Sequence, residues 1–155
     1  MRKATDHDQD TIWSILEPIF RAGETYCIPR DVSRADGLAY WMGGNHTAFV
    51  TDTGLGTYFI CPNQPGGGAH VCNCGFATAS AAQGKGVARA MLTHAQDTAR
   101  QMGFKAMQFN FVISSNTRAV DTWKRDDFDI VGILPKAFDH PRLGFVDAYV
   151  MFKTL

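Results

Sequence analysis

Four segments of the chain have apolar residues at the three-to-four-residue spacing that predicts an amphipathic helix. The first segment ends at Gly23, a C-terminal cap, and Pro18 within it predicts a kink. The second begins at the cap Ser33 and the fourth at the cap Asn116. The third is the most regular, because its apolar positions repeat every four residues: Val87, Met91, Ala95 and Ala99. It ends at Gly103. The pattern therefore predicts four helices.

Runs rich in β-branched and aromatic residues lie between the helical segments and predict strands. These runs cover residues 47–51, 57–61, 70–78, 105–113, 128–132 and 147–152, with residues 2–4 as a candidate opening strand. The short connections between the first three runs predict an antiparallel meander. Residues 134–145, which include His140, are predicted to form a long exposed loop. The resulting order is α, α, β, β, β, α, β, α, β, β.

Length and composition predict one globular domain over residues 1–155. The chain is 45% hydrophobic and 19% charged, and its formal net charge is +0. This balance excludes the broad basic field that attracts nucleic acid or an anionic membrane, so a phosphate site would have to be local and built from backbone groups. The polar first ten residues and the lack of a long apolar run predict a cytoplasmic protein.

The cysteines are interpreted as buried thiols, since no CxxC pair or paired histidine spacing supports a zinc site. They are Cys27, Cys61, Cys72 and Cys74. No metal cofactor is expected.

One turn carries the candidate chemistry, and it joins a strand to the most regular helix. It reads Gln83-Gly84-Lys85-Gly86-Val87-Ala88. Glycines let a ligand approach the backbone, and the free amides at a helix N-terminus attract phosphate. Arg89 excludes the dinucleotide pattern GxGxxG, and Ala79 with Gly86 excludes the P-loop. The glycines alone would fit a tight strand-to-helix turn equally well.

In this context the chain resembles the GNAT superfamily of acyl-CoA-dependent N-acyltransferases. The family's phosphate-binding turn reads Q/R-x-x-G-x-G/A, which Gln83, Gly86 and Ala88 match, and Asn116 stands where the family has an asparagine after a strand. The element order fits the family over the whole chain. The resemblance implies an α/β fold with a mixed, mostly antiparallel sheet, four flanking helices and a splayed strand pair that binds the coenzyme.

The resemblance also implies a set of cofactor-binding residues, with acetyl-CoA as the cosubstrate. Backbone amides of the turn would hold its pyrophosphate, the end of the preceding strand would pair with its pantetheine arm, and Asn116 would contact the same arm. The set is Ala77, Thr78, Gln83, Gly84, Lys85, Gly86, Val87, Ala88, Asn116 and Trp123. Without the turn, Asn116 would be an ordinary helix cap.

Catalysis needs a base, because a lysine-like amine with a pKa of about 10.4 is protonated at neutral pH. Glu24 is the predicted base, since it lies in the linker where this family commonly builds its acceptor pocket; its alternative role is a solvated surface carboxylate. Many members use a tyrosine seven residues after the asparagine to protonate the leaving thiolate, but here that residue is Trp123. The thiolate would leave to water or be protonated by another residue such as Tyr149. Asp127 also replaces a glycine that is usual in the family.

The predicted function is direct transfer of an acetyl group to a primary amine of a small molecule or amino-acid-like acceptor. Residues 108–111 and 135–138 are similar to runs in bacterial members that act on such compounds. Candidate pocket residues are Tyr26, Tyr58, Asn73 and Asn110. The alternative is a non-catalytic acyl-CoA-binding regulatory module, which Trp123 favours. Apolar residues in the predicted loop over residues 134–145 are compatible with a homodimer.

Overall fold

The computed structural model describes all 155 residues and contains four helices and one seven-stranded sheet. The helices are α1 (Gln9–Ala22), α2 (Arg34–Met42), α3 (Val87–Gln101) and α4 (Thr117–Lys124). The strands are β1 (Arg2–Lys3), β2 (Thr47–Val50), β3 (Gly56–Pro62), β4 (Val71–Thr78), β5 (Ala106–Ile113), β6 (Asp129–His140) and β7 (Gly144–Thr154). Their order in the sheet is β1-β2-β3-β4-β5-β7-β6, and every neighbouring pair is antiparallel except β4 and β5. The predicted mixed fold and the short opening strand are confirmed.

The parallel strands β4 and β5 pair over only three positions. Val71, Cys72 and Asn73 lie opposite Ala106, Met107 and Gln108, and no pairing follows. In contrast, β4 stays paired with β3 through Thr78. The two strands therefore separate in the middle of the sheet, as the resemblance implied.

Two hydrophobic clusters cover the two faces of the sheet. The helices α3 and α4 pack on one face, and α1 and α2 pack on the other. In β3, Tyr58 belongs to the first cluster and Phe59 to the second, because side chains alternate across a strand. Both faces are covered at the point where β4 and β5 separate, so the opening has helical walls.

The predicted helix boundaries depend on caps that the structure confirms. Gly23 ends α1 in the left-handed region at φ 66°. The Ser33 hydroxyl accepts the Asp36 amide at 3.0 Å, and the Asn116 side chain accepts the Ala119 amide at 3.4 Å. Within α1, Pro18 lies inside a single helix of 14 residues.

The prediction of a loop over residues 134–145 is wrong, because β6 and β7 form a long hairpin there. Pairing extends to His140 opposite Gly144. Since β6 is at the edge of the sheet, Pro135 needs no ladder partner for its nitrogen, and a proline is tolerated. The exposure predicted for His140 is also wrong, because it is only 5% exposed and its Nδ1 accepts the Arg142 amide at 3.2 Å.

Three of the four cysteines are buried as predicted, whereas Cys27 is exposed. It lies in the connection between α1 and α2, which follows the surface.

Asp127 adopts a backbone conformation that normally favours glycine. Its φ is 61°, and the Asp127 and Phe128 amides donate to the carbonyls of Lys124 and Trp123 at 3.1 Å. This double hydrogen bond is the Schellman arrangement that ends a helix on a left-handed residue. The turn after α4 therefore keeps the glycine geometry without the glycine.

We expect Asp127→Gly to raise the free energy of unfolding by up to about 1 kcal/mol, because it relieves left-handed strain and the Asp127 side chain makes no hydrogen bond. Chemical denaturation measures the change. Asp121→Gly is the matched control inside α4 and should lower stability by about 1 kcal/mol. A destabilised Asp127→Gly variant would contradict the assignment of strain to this residue.

Candidate functional site

The gap between β4 and β5 opens into a cavity of about 440 Å³. Its walls are residues 73–78 of β4 and 109–113 of β5, together with residues of α4, of the α1–α2 connection and of α2. Four predicted cofactor-binding residues line it: Ala77, Thr78, Asn116 and Trp123. The structure thus brings these four together around one space.

The unpaired section of β4 presents backbone groups to this cavity. The Tyr26 hydroxyl donates to the Phe76 carbonyl at 2.7 Å, which locates one of these groups beside the space. Gly75 allows Phe59 to pack here, because a Cβ on Gly75 would come within 2.4 Å of the Phe59 ring. An extended, amide-containing chain could pair with such a strand edge as a peptide does.

A second cavity, of about 610 Å³, lies at the glycine turn. Its lining includes Thr78, which also lines the first cavity, so the two spaces adjoin. Five predicted residues of the turn line it: Gln83, Gly84, Gly86, Val87 and Ala88. Lys85, which was predicted with them, is in the same turn but outside this lining.

The turn leaves several amides free. The Gln83 and Lys85 amides donate inside the turn, to the carbonyls of Ser80 at 3.2 Å and Ala82 at 3.1 Å. The amides of Gly84 and Gly86 have no such partner, and the first amides of α3 have none within the helix. Both glycines have positive φ, 74° and 70°, which aims these amides away from the regular helix ladder. The turn can therefore bind an anion through its backbone.

Glu24, the predicted base, lies beside the first cavity but does not line it, although Thr25, Tyr26 and Cys27 do. Its carboxylate is 2.7 Å from the guanidinium of Arg142 in the β6–β7 turn, and its side chain is 34% exposed. No local sequence pattern indicates this ion pair, because it depends on the β6–β7 hairpin, which the sequence analysis did not predict. Whether Glu24 acts as a base remains a prediction.

The lining of the first cavity contains no carboxylate and no imidazole. Its titratable groups stay neutral at ordinary pH, since burial raises the pKa of Tyr26, Tyr40 and Cys74. The thiol of Cys27, although that residue is exposed, is desolvated enough to raise its pKa too. Tyr26 therefore keeps its proton and acts as a hydrogen-bond donor.

Trp123 occupies the position at which the resemblance places a tyrosine acid. It is buried, and its ring centroid lies 5.2 Å from the ring centroid of Phe76 and 5.0 Å from that of Phe109. Tyr149 lines neither cavity. The only phenol groups beside the first cavity are thus those of Tyr26 and Tyr40.

Three of the four candidate pocket residues line the first cavity: Tyr26, Asn73 and Asn110. Asn110 is held in a chain of amides, because it donates to Asn63 at 2.7 Å and accepts from Gln108 at 2.8 Å. Tyr58 does not line the cavity, since its hydroxyl lies 2.5 Å from His94 Nδ1 beneath α3.

No cluster of three potential metal ligands from histidine, cysteine, aspartate and glutamate occurs in the chain. None of its helices combines the length and the apolar character needed to cross a membrane.

The comparisons with known proteins agree on one family. The model of the acetyltransferase (GNAT) family matches residues 10–128. A structure of a GCN5-related N-acetyltransferase from Kribbella flavida is 38% identical, with a TM-score of 0.91, and the match covers 99% of this chain and 96% of that one. The structure of yncA from Salmonella typhimurium with its cofactor acetyl-CoA shares the fold at 20% identity, with a TM-score of 0.82 over 99% of this chain and 92% of that one.

A curated relative, the N-acetyltransferase aca1 of Schizosaccharomyces pombe, is 36% identical over 100 residues. The match covers 62% of this chain and 46% of that protein, so it spans about half the length of the relative.

We expect valine at both Gly84 and Gly86 to weaken acetyl-CoA binding about tenfold or more, because a β-branched residue resists positive φ and displaces the free amides. A Cβ at either position meets nothing within 4 Å, so the fold should persist. Gly44→Val is the matched control, since Gly44 has φ +62° and equally open surroundings away from the site. Calorimetry measures affinity, and unchanged binding by a folded double variant would contradict the assigned role of the turn.

Proposed function

The chain belongs to the acetyltransferase (GNAT) family, and from that premise we propose that it transfers the acetyl group of acetyl-CoA to a primary amine of a small molecule or amino-acid-like acceptor. The observation that carries the proposal is the separation of β4 from β5, which creates a cavity adjoining the glycine turn at Thr78. A long cofactor with a pyrophosphate at one end of its pantetheine arm and a thioester at the other matches these two spaces.

The coenzyme would lie across both cavities. Its pyrophosphate accepts hydrogen bonds from the free amides of the turn, and its pantetheine amides pair with β4 near Ala77 and Thr78. The Asn116 side chain lines the first cavity and caps α4 through its oxygen only, so its amide nitrogen remains free to contact the arm. The thioester would then face the end of the cavity at Tyr26 and Tyr40.

In the proposed reaction the amine nitrogen attacks the thioester carbonyl carbon. A C–N bond forms and gives a tetrahedral oxyanion, the nitrogen then loses its extra proton to water, and the C–S bond breaks so that the coenzyme leaves as a thiolate. Backbone amides on the open edge of β4, at Phe76 or Thr78, would stabilise the oxyanion, because Ala77 pairs with Thr57 of β3. A thiol pKa of about 8.5 makes the thiolate a reasonable leaving group without an acid at Trp123.

The acceptor end favours a compact acceptor with apolar surface. Its lining is Ile19, Tyr26, Cys27, Tyr40 and Phe59. No acidic residue lines it, so a polybasic peptide would gain no charge complementarity. Glu24 would have to release Arg142 to accept the proton of the incoming ammonium, and its partial exposure allows that rearrangement.

The proposal is tested by mixing the protein with acetyl-CoA and a panel of primary amines, and following thiol release together with acetylated product by mass spectrometry. Product formation that saturates in both substrates is expected. Binding of acetyl-CoA without product from any amine would contradict the proposal and favour the second candidate, a non-catalytic acyl-CoA-binding module. The buried indole of Trp123 at the acid position is the observation behind that alternative.

If Glu24 is the base, Glu24→Gln should lower kcat/KM about a hundredfold near neutral pH and leave acetyl-CoA affinity unchanged. Arg142→Gln is the matched control, because it removes the same ion pair but keeps the carboxylate. That control should retain activity. Equal losses in the two variants would show that the ion pair, and not proton transfer, accounts for the effect.

Trp123→Tyr should raise kcat several-fold where thiolate departure limits turnover, because a phenol at this position can supply a proton. Trp123→Phe keeps the aromatic packing on Phe76 and Phe109 without an acid, and should give no such gain. Steady-state rates at saturating acetyl-CoA compare the two. Identical kcat values would show that departure of the thiolate needs no acid here.

A further inference from the structure

Three arginines line the second cavity together with the glycine turn. Arg89 follows the turn on α3, Arg118 is on α4, and Arg125 is the residue that ends α4. Their guanidinium groups make no ion pair and no hydrogen bond to another side chain, whereas five other arginines of the chain are in ion pairs. The cavity therefore contains positive charge that the protein itself does not neutralise.

The one acidic residue in this lining does not cancel that charge. Asp126 accepts hydrogen bonds from Gln96 and from Lys153 Nζ, the latter at 3.0 Å. It is already compensated by a cation outside the lining. Because the whole chain has a formal net charge of +0, the arginines form a local feature and not part of a general basic surface.

Two pairs of residues at α4, one of arginines and one of predicted cofactor-binding residues, have the same seven-residue spacing. Arg118 and Arg125 are seven residues apart, about two helical turns, and so lie on the same side of the helix. Asn116 and Trp123 have the same spacing and line the first cavity. Lys124, which lies between Trp123 and Arg125 in the sequence, lines neither cavity. One helix thus contributes to both spaces with separate residues.

The backbone turn and the arginines suit different phosphates. Neutral amides at a helix N-terminus bind a pyrophosphate bridge. A terminal phosphate carries up to two charges and three acceptor oxygens, which guanidinium groups match through charged, paired hydrogen bonds. Coenzyme A has both kinds of group, since a 3′-phosphate is attached to the ribose beyond its pyrophosphate.

We propose that Arg118 and Arg125, with Arg89 across the cavity, bind the 3′-phosphate of coenzyme A, so that the protein selects the 3′-phosphorylated form over dephospho-CoA. This inference rests on the proposed function, because it assumes that the coenzyme occupies the turn. It adds side chains to the backbone groups that the sequence analysis expects to bind phosphate. The selectivity arises from side chains that no glycine pattern reveals.

The experiment compares the affinities of CoA and dephospho-CoA by calorimetry for the parent protein and for the Arg118→Gln/Arg125→Gln double variant. The parent should bind CoA about tenfold or more tightly than dephospho-CoA. The double variant should lose this preference through weaker CoA binding, while its affinity for dephospho-CoA stays unchanged. The CoA affinity of the parent should also fall more steeply with salt than that of the variant.

Lys124→Gln is the matched control, because it removes one positive charge from the same helix outside both cavities. It should keep the parent's preference for CoA. Thermal melting confirms that each variant is folded, which is expected for exposed side chains. A parent that binds both cofactors equally, or a folded double variant that keeps the parent's preference, overturns the inference.

Failure of this inference and failure of the proposed function give different results. A parent that acetylates amines equally well with acetyl-CoA and its dephospho form retains the function but has no 3′-phosphate subsite. A parent that binds CoA selectively through these arginines and acetylates no amine retains the subsite without the catalytic function.

Discussion

The candidate site depends on one interruption of backbone hydrogen bonding, the separation of β4 from β5 after three paired residues. Buried backbone groups in a sheet interior are normally paired, so an opening in the middle of a seven-stranded sheet leaves donors and acceptors that a ligand can satisfy. Helices cover both faces at this point, which makes the opening a cavity and not a cleft across the whole sheet. The geometry favours an extended ligand that contains amides.

The two adjoining cavities present different chemical groups to the two ends of such a ligand. Backbone amides and arginines lie at one end, and aromatic side chains with raised pKa values lie at the other. No acidic or basic side chain lines the first cavity, and the Glu24–Arg142 ion pair lies beside it. In the proposed reaction, cofactor binding and proton transfer therefore belong to different elements, because Glu24 lies in the α1–α2 connection and its partner Arg142 lies in the β6–β7 turn.

The sequence predicted what is encoded locally. Caps such as Ser33 and Asn116 and the glycine turn depend on neighbouring residues, and the structure confirms their places. The hairpin over residues 134–145 was missed because edge strands tolerate the prolines that usually indicate a loop. That error concealed the Arg142 partner of Glu24, since a contact between residues so distant in sequence has no local signal. The arginine set was missed for a related reason, because α3 and α4 meet only in the folded chain.

A crystal structure of the protein with acetyl-CoA tests the central claim most directly. The pantetheine arm is expected in the gap between β4 and β5, with hydrogen bonds to the backbone of residues 74–78, and the pyrophosphate is expected on the glycine turn. A coenzyme bound elsewhere on the protein, with the gap between these strands still open, would contradict it.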